Sequence, residues 1–147
     1  MTPSDCTGSD LLFVDTNVFL RFLTNDVPEQ ADAAEALFRR AAAGEVGLVT
    51  NTIVVAEIVW VLESYYRLTR PDVMERALAV AHMDGLALPE SDIITEALLE
   101  YAESNVDFID AYNAGWIRHR GLRRIATFDQ KHYSRFEGLA IQMPGAD

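Results

Sequence analysis

Residues 11–17 read Leu-Leu-Phe-Val-Asp-Thr-Asn, an apolar run that ends abruptly on the carboxylate of Asp15. A short apolar run closed by polar residues predicts a β-strand that is buried on both faces. Residues 124–129, Arg-Ile-Ala-Thr-Phe-Asp, repeat this design and end on Asp129. Because ligands of open parallel sheets bind outside the carboxyl ends of the strands, we expect both aspartates at the functional edge of one sheet.

The rest of the chain alternates strand and helix patterns, which predicts an α/β fold. Predicted strands cover residues 11–14, 46–50, 86–89, 123–127 and 139–142, and predicted helices cover residues 16–23, 29–43, 52–66, 71–83, 91–103 and 107–119. Such alternation is typical of three layers, with helices on both faces of a central, mostly parallel sheet of four or five strands. At 147 residues we expect one domain over residues 11–147, preceded by a loose, polar extension over residues 1–10.

The composition limits the class of protein. Hydrophobic residues make up 50% of the chain, which excludes a disordered protein. No apolar stretch of the sequence approaches the roughly 18 residues of a membrane span. Cys6 is the single cysteine, so an internal disulfide is excluded and a reduced, cytoplasmic setting is favoured.

The net charge of −11 argues against a nucleic-acid partner, but the charge is unevenly distributed. Half of the 12 basic residues lie within residues 111–135, which contain a single acidic residue, Asp129. The candidate RNA contacts in this segment are Arg118, Arg120, Arg123 and Arg124. A basic patch binds a phosphate backbone even on an acidic chain, whereas arginines near a helix C-terminus also complement the helix dipole. The sequence leaves both interpretations open.

Two acidic residues of the N-terminal half are candidates for a site. Asp15 is expected either to cap the following helix or, if Thr16 caps it, to face the sheet edge with Asn17 as a hydrogen-bond donor. Glu57 lies in the most apolar stretch of the chain, residues 53–61, where helical spacing predicts an apolar face around it. A buried carboxylate needs a cation, a salt bridge or a proton, so Glu57 is either a metal ligand or half of a structural ion pair.

Three more carboxylates follow in the C-terminal half. Asp107 and Asp110 open a predicted helix, with Asp107 as the expected N-cap and Asp110 at the buried edge of the first turn. Asp129 is either a turn residue or a ligand at its strand end. Carboxylates that converge repel each other unless a cation lies between them. Such oxygen donors favour Mg²⁺, with Mn²⁺ as an alternative, and hence metal-assisted phosphodiester hydrolysis.

Four short motifs, in this order and at this spacing, resemble those of PIN-domain ribonucleases. They are Val-Asp-Thr-Asn at 14–17, Ala-Glu-Ile at 56–58, Asp-Phe-Ile-Asp-Ala at 107–111 and Ala-Thr-Phe-Asp at 126–129. The resemblance covers residues 11–143, and the chain looks most similar to VapC-type toxins of bacterial toxin–antitoxin pairs. The catalytic and metal-binding quartet that the resemblance implies consists of Asp15, Glu57, Asp110 and Asp129.

The same resemblance implies accessory residues and partners. Asp107 matches an accessory acidic position, and Thr127 matches a hydroxyl that holds a water or a phosphate. Asn113 and Trp116 depart from the pattern, since small or aliphatic residues are common there. The implied protein is a Mg²⁺-dependent endoribonuclease, usually a homodimer, which a cognate antitoxin inhibits by occupying the active-site groove. Single-stranded RNA is the accessible substrate for such a groove.

Three alternatives remain open. The first is a PIN nuclease that processes RNA without an antitoxin, and the second is an inactive PIN-like binding module. All four quartet positions are acidic, which argues against the second. The third is a phosphatase with Asp15 as nucleophile, which typically needs a second aspartate where this chain has Asn17.

Overall fold

The computed structural model describes residue 8 and residues 10–145, so the predicted extension with Cys6 lies outside the described residues except for Gly8 and Asp10. The elements follow in the order β1 (Leu12–Phe13), α1 (Thr16–Thr24), α2 (Pro28–Ala42), β2 (Leu48–Val49), α3 (Thr52–Ser64), α4 (Arg70–Ala81), β3 (Leu86–Ala87), α5 (Ser91–Glu103), α6 (Phe108–His119), β4 (Arg124–Ala126), α7 (Gln130–Tyr133) and β5 (Ala140–Gln142). They form two compact units that divide between Ser91 and Asp92, the N-terminal unit and the C-terminal unit.

The N-terminal unit contains a parallel sheet in the order β1-β2-β3. Leu48 of the central strand is paired with Leu12 on one side and with Leu86 on the other. Neighbouring parallel strands need a long crossover connection, and the helix pairs α1–α2 and α3–α4 provide the two connections here. The predicted alternation of strands and helices is confirmed in this unit.

Local sequence signals set the helix starts of this unit. Pro28 stands at the first position of α2, where its fixed φ and its missing amide hydrogen are tolerated. Asn51 and Thr69 cap α3 and α4, because each side chain accepts a hydrogen bond from a backbone amide of the first turn. Helix α1 packs on α2 through the stacked rings of Phe19 and Phe38, whose centroids lie 5.5 Å apart.

The first strand is less buried than the sequence predicts. Leu12 and Phe13 are 47% and 51% exposed, whereas the next residue, Val14, is buried. Among the described strands β1 pairs with β2 alone, so it is an edge strand of its sheet. The prediction of a strand buried on both faces is therefore wrong for β1.

The C-terminal unit contains α5, α6 and the parallel pair β4–β5, with the short helix α7 between these strands. Its core includes the fully buried side chains of Ile94, Leu98 and Ala114 on α5 and α6. The predicted α/β class is confirmed, but the strands form a three-stranded and a two-stranded ladder where the sequence predicts one sheet. Helix α7 has no predicted counterpart, because four residues are too few for a periodic pattern. Among the described helices, none has the length and apolar character that a bilayer crossing requires.

Candidate metal-binding carboxylates

Asp15 lies two residues after β1 and caps α1. Its Oδ1 accepts a hydrogen bond of 2.8 Å from the backbone amide of Thr16, and the residue is exposed. The cap is therefore Asp15 itself and not Thr16, which is buried. The expected hydrogen bond from Asn17 to Asp15 is not formed among the described residues, and Asn17 lines a groove between α1 and α2.

A buried threonine fixes the backbone immediately before Asp15. Thr50 follows β2, is 1% exposed, and donates a hydrogen bond of 2.9 Å from its hydroxyl to the carbonyl of Val14. The Thr50 amide donates in turn to the carbonyl of Ala87 in β3. Thr50 thus connects all three strands at the edge where Asp15 begins α1. The one signal for this role in the sequence is a polar, β-branched residue that closes an apolar strand.

Glu57 lies in the second turn of α3, and it is exposed rather than buried. Its predicted apolar neighbours Ile53 and Trp60 are 72% and 68% exposed. The inward face of α3 consists instead of Val54, Val55, Ile58, Val59 and Leu62. The predicted burial of Glu57 is wrong, because α3 is apolar on almost every side and its periodicity does not identify the inward face. Since α3 follows β2, Glu57 still lies toward the same edge of the sheet as Asp15.

Asp107 and Asp110 open α6 in the C-terminal unit. Asp107 caps the helix as predicted, because its side chain accepts a hydrogen bond of 3.2 Å from the Asp110 amide. Asp110 is half-buried, and Ala114 and Ile117, one and two turns further along α6, are buried. The predicted location of Asp110 at the edge of the buried helix face is confirmed.

Asp129 caps α7, and its carboxylate accepts hydrogen bonds from His132 of the same helix. Oδ1 accepts a hydrogen bond of 3.1 Å from the His132 amide, and the two carboxylate oxygens lie 2.8 and 2.7 Å from His132 Nδ1. These bonds, first from the amide and then from the imidazole, lower the pKa of Asp129. The Thr127 hydroxyl accepts a hydrogen bond of 2.9 Å from the Asp129 amide, so it fixes this turn; its expected contact with water or phosphate stays a prediction.

A tyrosine hydroxyl connects α6 with α7. Tyr133, the last residue of α7, is buried, and its ring centroid lies 5.9 Å from that of Phe136. The hydroxyl donates a hydrogen bond to the Asp110 carboxylate and accepts one of 3.3 Å from Nδ2 of Asn113. Nothing in the local sequence predicts this contact, because it joins residues 20 positions apart in the chain. Two sequence features mark these positions, the departure at Asn113 and the Asp-x-x-His spacing before Tyr133, but neither identifies the partner.

Asp110 and Asp129 differ in their electrostatic surroundings. Burial raises the pKa of Asp110 most, the hydroxyl of Tyr133 lowers it, and the charges of Asp107 and Asp129 raise it further. The carboxylates of Asp107, Asp110 and Asp129 are therefore close enough to repel one another. A divalent cation bound beside these carboxylates would relieve such repulsion.

The donors of the C-terminal unit fit a divalent cation in their chemistry. Asp110 and Asp129 present hard carboxylate oxygens, and Mg²⁺ is usually bound by one or two carboxylates while it keeps several waters. Within residue 8 and residues 10–145, no three His, Cys, Asp or Glu side chains come together as a complete metal-ligand set. A cation bound here would therefore share its coordination with water and substrate oxygens.

The four predicted RNA-binding arginines are exposed but differ in their partners. Arg118 forms an ion pair of 3.4 Å with a glutamate of α5, which neutralises part of its charge. Arg120 stacks on Trp116, with its guanidinium carbon 3.8 Å from the ring centroid. Arg123 and Arg124 line a groove of about 310 Å³ beside β4 and β5.

Comparison with known families identifies the fold that these elements build. The model of the PIN domain matches residues 12–139, which include all four positions of the expected acidic quartet. The chain belongs to the PIN domain family. The predicted family and its α/β fold are thereby confirmed. PIN domains are generally nucleases, so this PIN domain falls among the hydrolases that act on nucleic acids. No curated protein matches the sequence.

Proposed function

We propose that this PIN domain is a Mg²⁺-dependent endoribonuclease and the toxin component of a toxin–antitoxin pair. The observation that carries the proposal is the family match over residues 12–139, within which every quartet position is acidic. The proposed catalytic and metal-binding residues are Asp15, Glu57, Asp110 and Asp129, with Asp107, Asn17 and Thr127 as accessory residues. Mn²⁺ is the expected substitute for Mg²⁺, because both take oxygen donors.

The carboxylates of the C-terminal unit have different tasks in this proposal. Asp110 faces two other carboxylates, so it is the residue whose repulsion a bound cation offsets most. Asp129 is an oxygen donor whose orientation is fixed by His132 and by the turn at Thr127. A bound Mg²⁺ supplies a water of lowered pKa and stabilises the charge that develops on the phosphate.

RNA is the proposed substrate, and unpaired loops are its accessible form. The residues proposed to contact its phosphate backbone are Arg118, Arg120, Arg123 and Arg124. Phe128, which precedes Asp129 and is 73% exposed, suits stacking on an unpaired base. Replacing Arg120 and Arg124 together by alanine should weaken RNA binding and reduce its salt dependence, as measured by fluorescence anisotropy. Unchanged binding contradicts the proposed backbone contact.

A protein partner is also part of the proposal. Ile53 and Trp60 are exposed apolar residues of α3 on either side of Glu57, and exposed apolar surface of this kind is typical of interaction sites. The same unit has a groove of about 510 Å³ between α1 and α2. We propose that an antitoxin segment occupies the active-site groove and that the chain forms a homodimer. Light scattering of the chain, alone and mixed with a candidate antitoxin encoded by a neighbouring gene, tests both.

The direct test of the activity is cleavage of labelled single-stranded and structured RNAs in Mg²⁺, in Mn²⁺ and in a chelator. We expect metal-dependent cleavage that Asp15→Asn and Asp110→Asn each abolish. The matched control is Asp32→Asn, which changes an exposed carboxylate of α2 and should leave cleavage intact. Cleavage by a chain that binds no candidate antitoxin from a neighbouring gene would indicate an RNA-processing nuclease instead. A folded protein that neither cleaves RNA nor binds metal would indicate a binding module.

A further inference from the structure

The Asp110 carboxylate takes its orientation from outside its own helix. Within α6, the hydrogen bond between Asp107 and Asp110 uses the Asp110 amide and leaves the Asp110 carboxylate out. The carboxylate accepts its hydrogen bond from Tyr133 on α7 instead. The phenol group that α7 presents is therefore placed to fix the rotamer of Asp110.

That phenol group is itself held in place. Tyr133 is 8% exposed and its ring packs against Phe136, so its location is set by the interior of the C-terminal unit. A tyrosine hydroxyl has one proton to donate, and an ionised carboxylate has none, so the proton of this hydrogen bond comes from Tyr133. The hydroxyl oxygen then accepts from Nδ2 of Asn113, 3.3 Å away.

The hydrogen bonds form a chain with a single direction, from Asn113 to Tyr133 to Asp110. Successive hydrogen bonds of one direction polarise and strengthen one another. Asn113 lies one turn after Asp110 on the same face of α6, which allows both to reach one hydroxyl. Both ends of the chain thus lie on α6, and its middle residue lies on the helix that Asp129 caps.

We propose that Tyr133 and Asn113 are positioning residues that hold the Asp110 carboxylate in the orientation that binds a divalent cation. The inference rests on the proposed function and adds two residues outside the acidic quartet. Hydrogen bonds behind a metal ligand typically fix its orientation, and their removal weakens metal binding about 10- to 100-fold. Neither residue needs to contact the cation or the RNA for this effect.

The test is the affinity for Mn²⁺, measured by calorimetry on the full chain without RNA. Tyr133→Phe keeps the packed ring and removes the hydroxyl, so we expect binding about 10- to 100-fold weaker. Asn113→Ala should weaken binding less, and the double variant should bind no more weakly than Tyr133→Phe alone, because Asn113 acts only through that hydroxyl. Tyr65→Phe makes the same change on an exposed ring of the N-terminal unit and should leave the affinity unchanged.

Each outcome has a distinct meaning. If the wild-type protein binds Mn²⁺, two results would overturn the inference. One is an unchanged Mn²⁺ affinity in Tyr133→Phe, and the other is a loss of affinity in the double variant that equals the sum of the two single losses. A wild-type protein that binds no Mn²⁺ would overturn the proposed function as well. If Tyr133→Phe does not fold by circular dichroism, Asn113→Ala decides alone, since alanine suits a helix interior. Unchanged affinity in that variant would overturn the inference.

Discussion

Thr50→Val is the substitution that most sharply tests how the strand edge before Asp15 is built. Valine retains the branched shape of threonine but lacks the hydroxyl that donates 2.9 Å to the Val14 carbonyl. Thr50 is 1% exposed, so water does not replace the lost donor. Leaving a buried carbonyl unsatisfied costs about 1–3 kcal/mol in the free energy of unfolding.

The expected loss is large enough to measure by thermal and urea denaturation. The entropy of unfolding is about 2 cal/mol/K per residue, so for a chain of this length the loss corresponds to a melting temperature about 3–10 °C lower. Thr50→Ser is the matched control, because it keeps the donor and removes one buried methyl group at a cost of about 0.5–1.5 kcal/mol. We therefore expect the order wild type, Thr50→Ser, Thr50→Val in decreasing stability.

A Thr50→Val protein as stable as the wild type would refute this account of the strand edge. A greater loss in Thr50→Ser than in Thr50→Val would do the same, since it would assign the contribution of Thr50 to its methyl group. If RNA cleavage is confirmed, the valine variant should also cleave more slowly, although it changes no carboxylate. That second effect follows because Val14 is the residue that immediately precedes Asp15.

Three further predictions concern charge and backbone geometry. Burial and neighbouring carboxylates raise the pKa of Asp110, so its ionised form destabilises the metal-free fold at neutral pH. Asp110→Asn should raise the free energy of unfolding by about 0.2–1 kcal/mol in chelator at pH 7, and the gain should fade as pH falls through the raised pKa. The lowered pKa of Asp129 means that the contribution of this carboxylate to stability is lost as pH falls through that pKa. His132→Gln should raise the pKa of Asp129 only part of the way to its ordinary value, because the hydrogen bond from the backbone amide survives. Carbon NMR of the Asp129 carboxylate measures this change. Gly85→Ala combines a φ of +82° with a methyl group that overlaps the backbone of α2, so it should lower the free energy of unfolding by at least about 3 kcal/mol in urea denaturation. Gly44→Ala is the control, because its methyl group meets open space, and it should lower the free energy of unfolding by about 1 kcal/mol. Equal losses at the two glycines would contradict the overlap.

Local signals account for the parts of the fold that the sequence predicts correctly. Pro28 marks the start of α2, and Asp107 marks the start of α6, because each acts within a single helical turn. The predicted bounds of α5 agree with the observed Ser91–Glu103. The strands are shorter than predicted, since an apolar run extends beyond the residues that find a ladder partner.

Burial and long-range contacts account for what the sequence does not predict. Glu57 is exposed although its neighbours are apolar, because the inward face of α3 is chosen by the sheet and by other helices. The roles of Thr50 and Tyr133 depend on partners 36 and 20 residues away, which no pattern within one element contains. The acidic candidates could be named from the sequence, whereas the groups that orient them could not.

The parallel register of β1 and β2 has a consequence for the order of events during synthesis. A nascent chain exposes Asp15 early, but the hydrogen bond from Thr50 to Val14 closes a loop of 36 residues that includes α1 and α2. Closing such a loop costs conformational entropy, which slows the pairing of distant segments. The parallel pairing of β1 and β2 is therefore delayed until the connection through α1 and α2 is complete. An N-terminal fragment that ends before Thr50 therefore contains the first carboxylate without the geometry that fixes it. The chain acquires that geometry only after its second strand has left the ribosome. Asp15 is therefore synthesised well before the backbone that positions it is fixed.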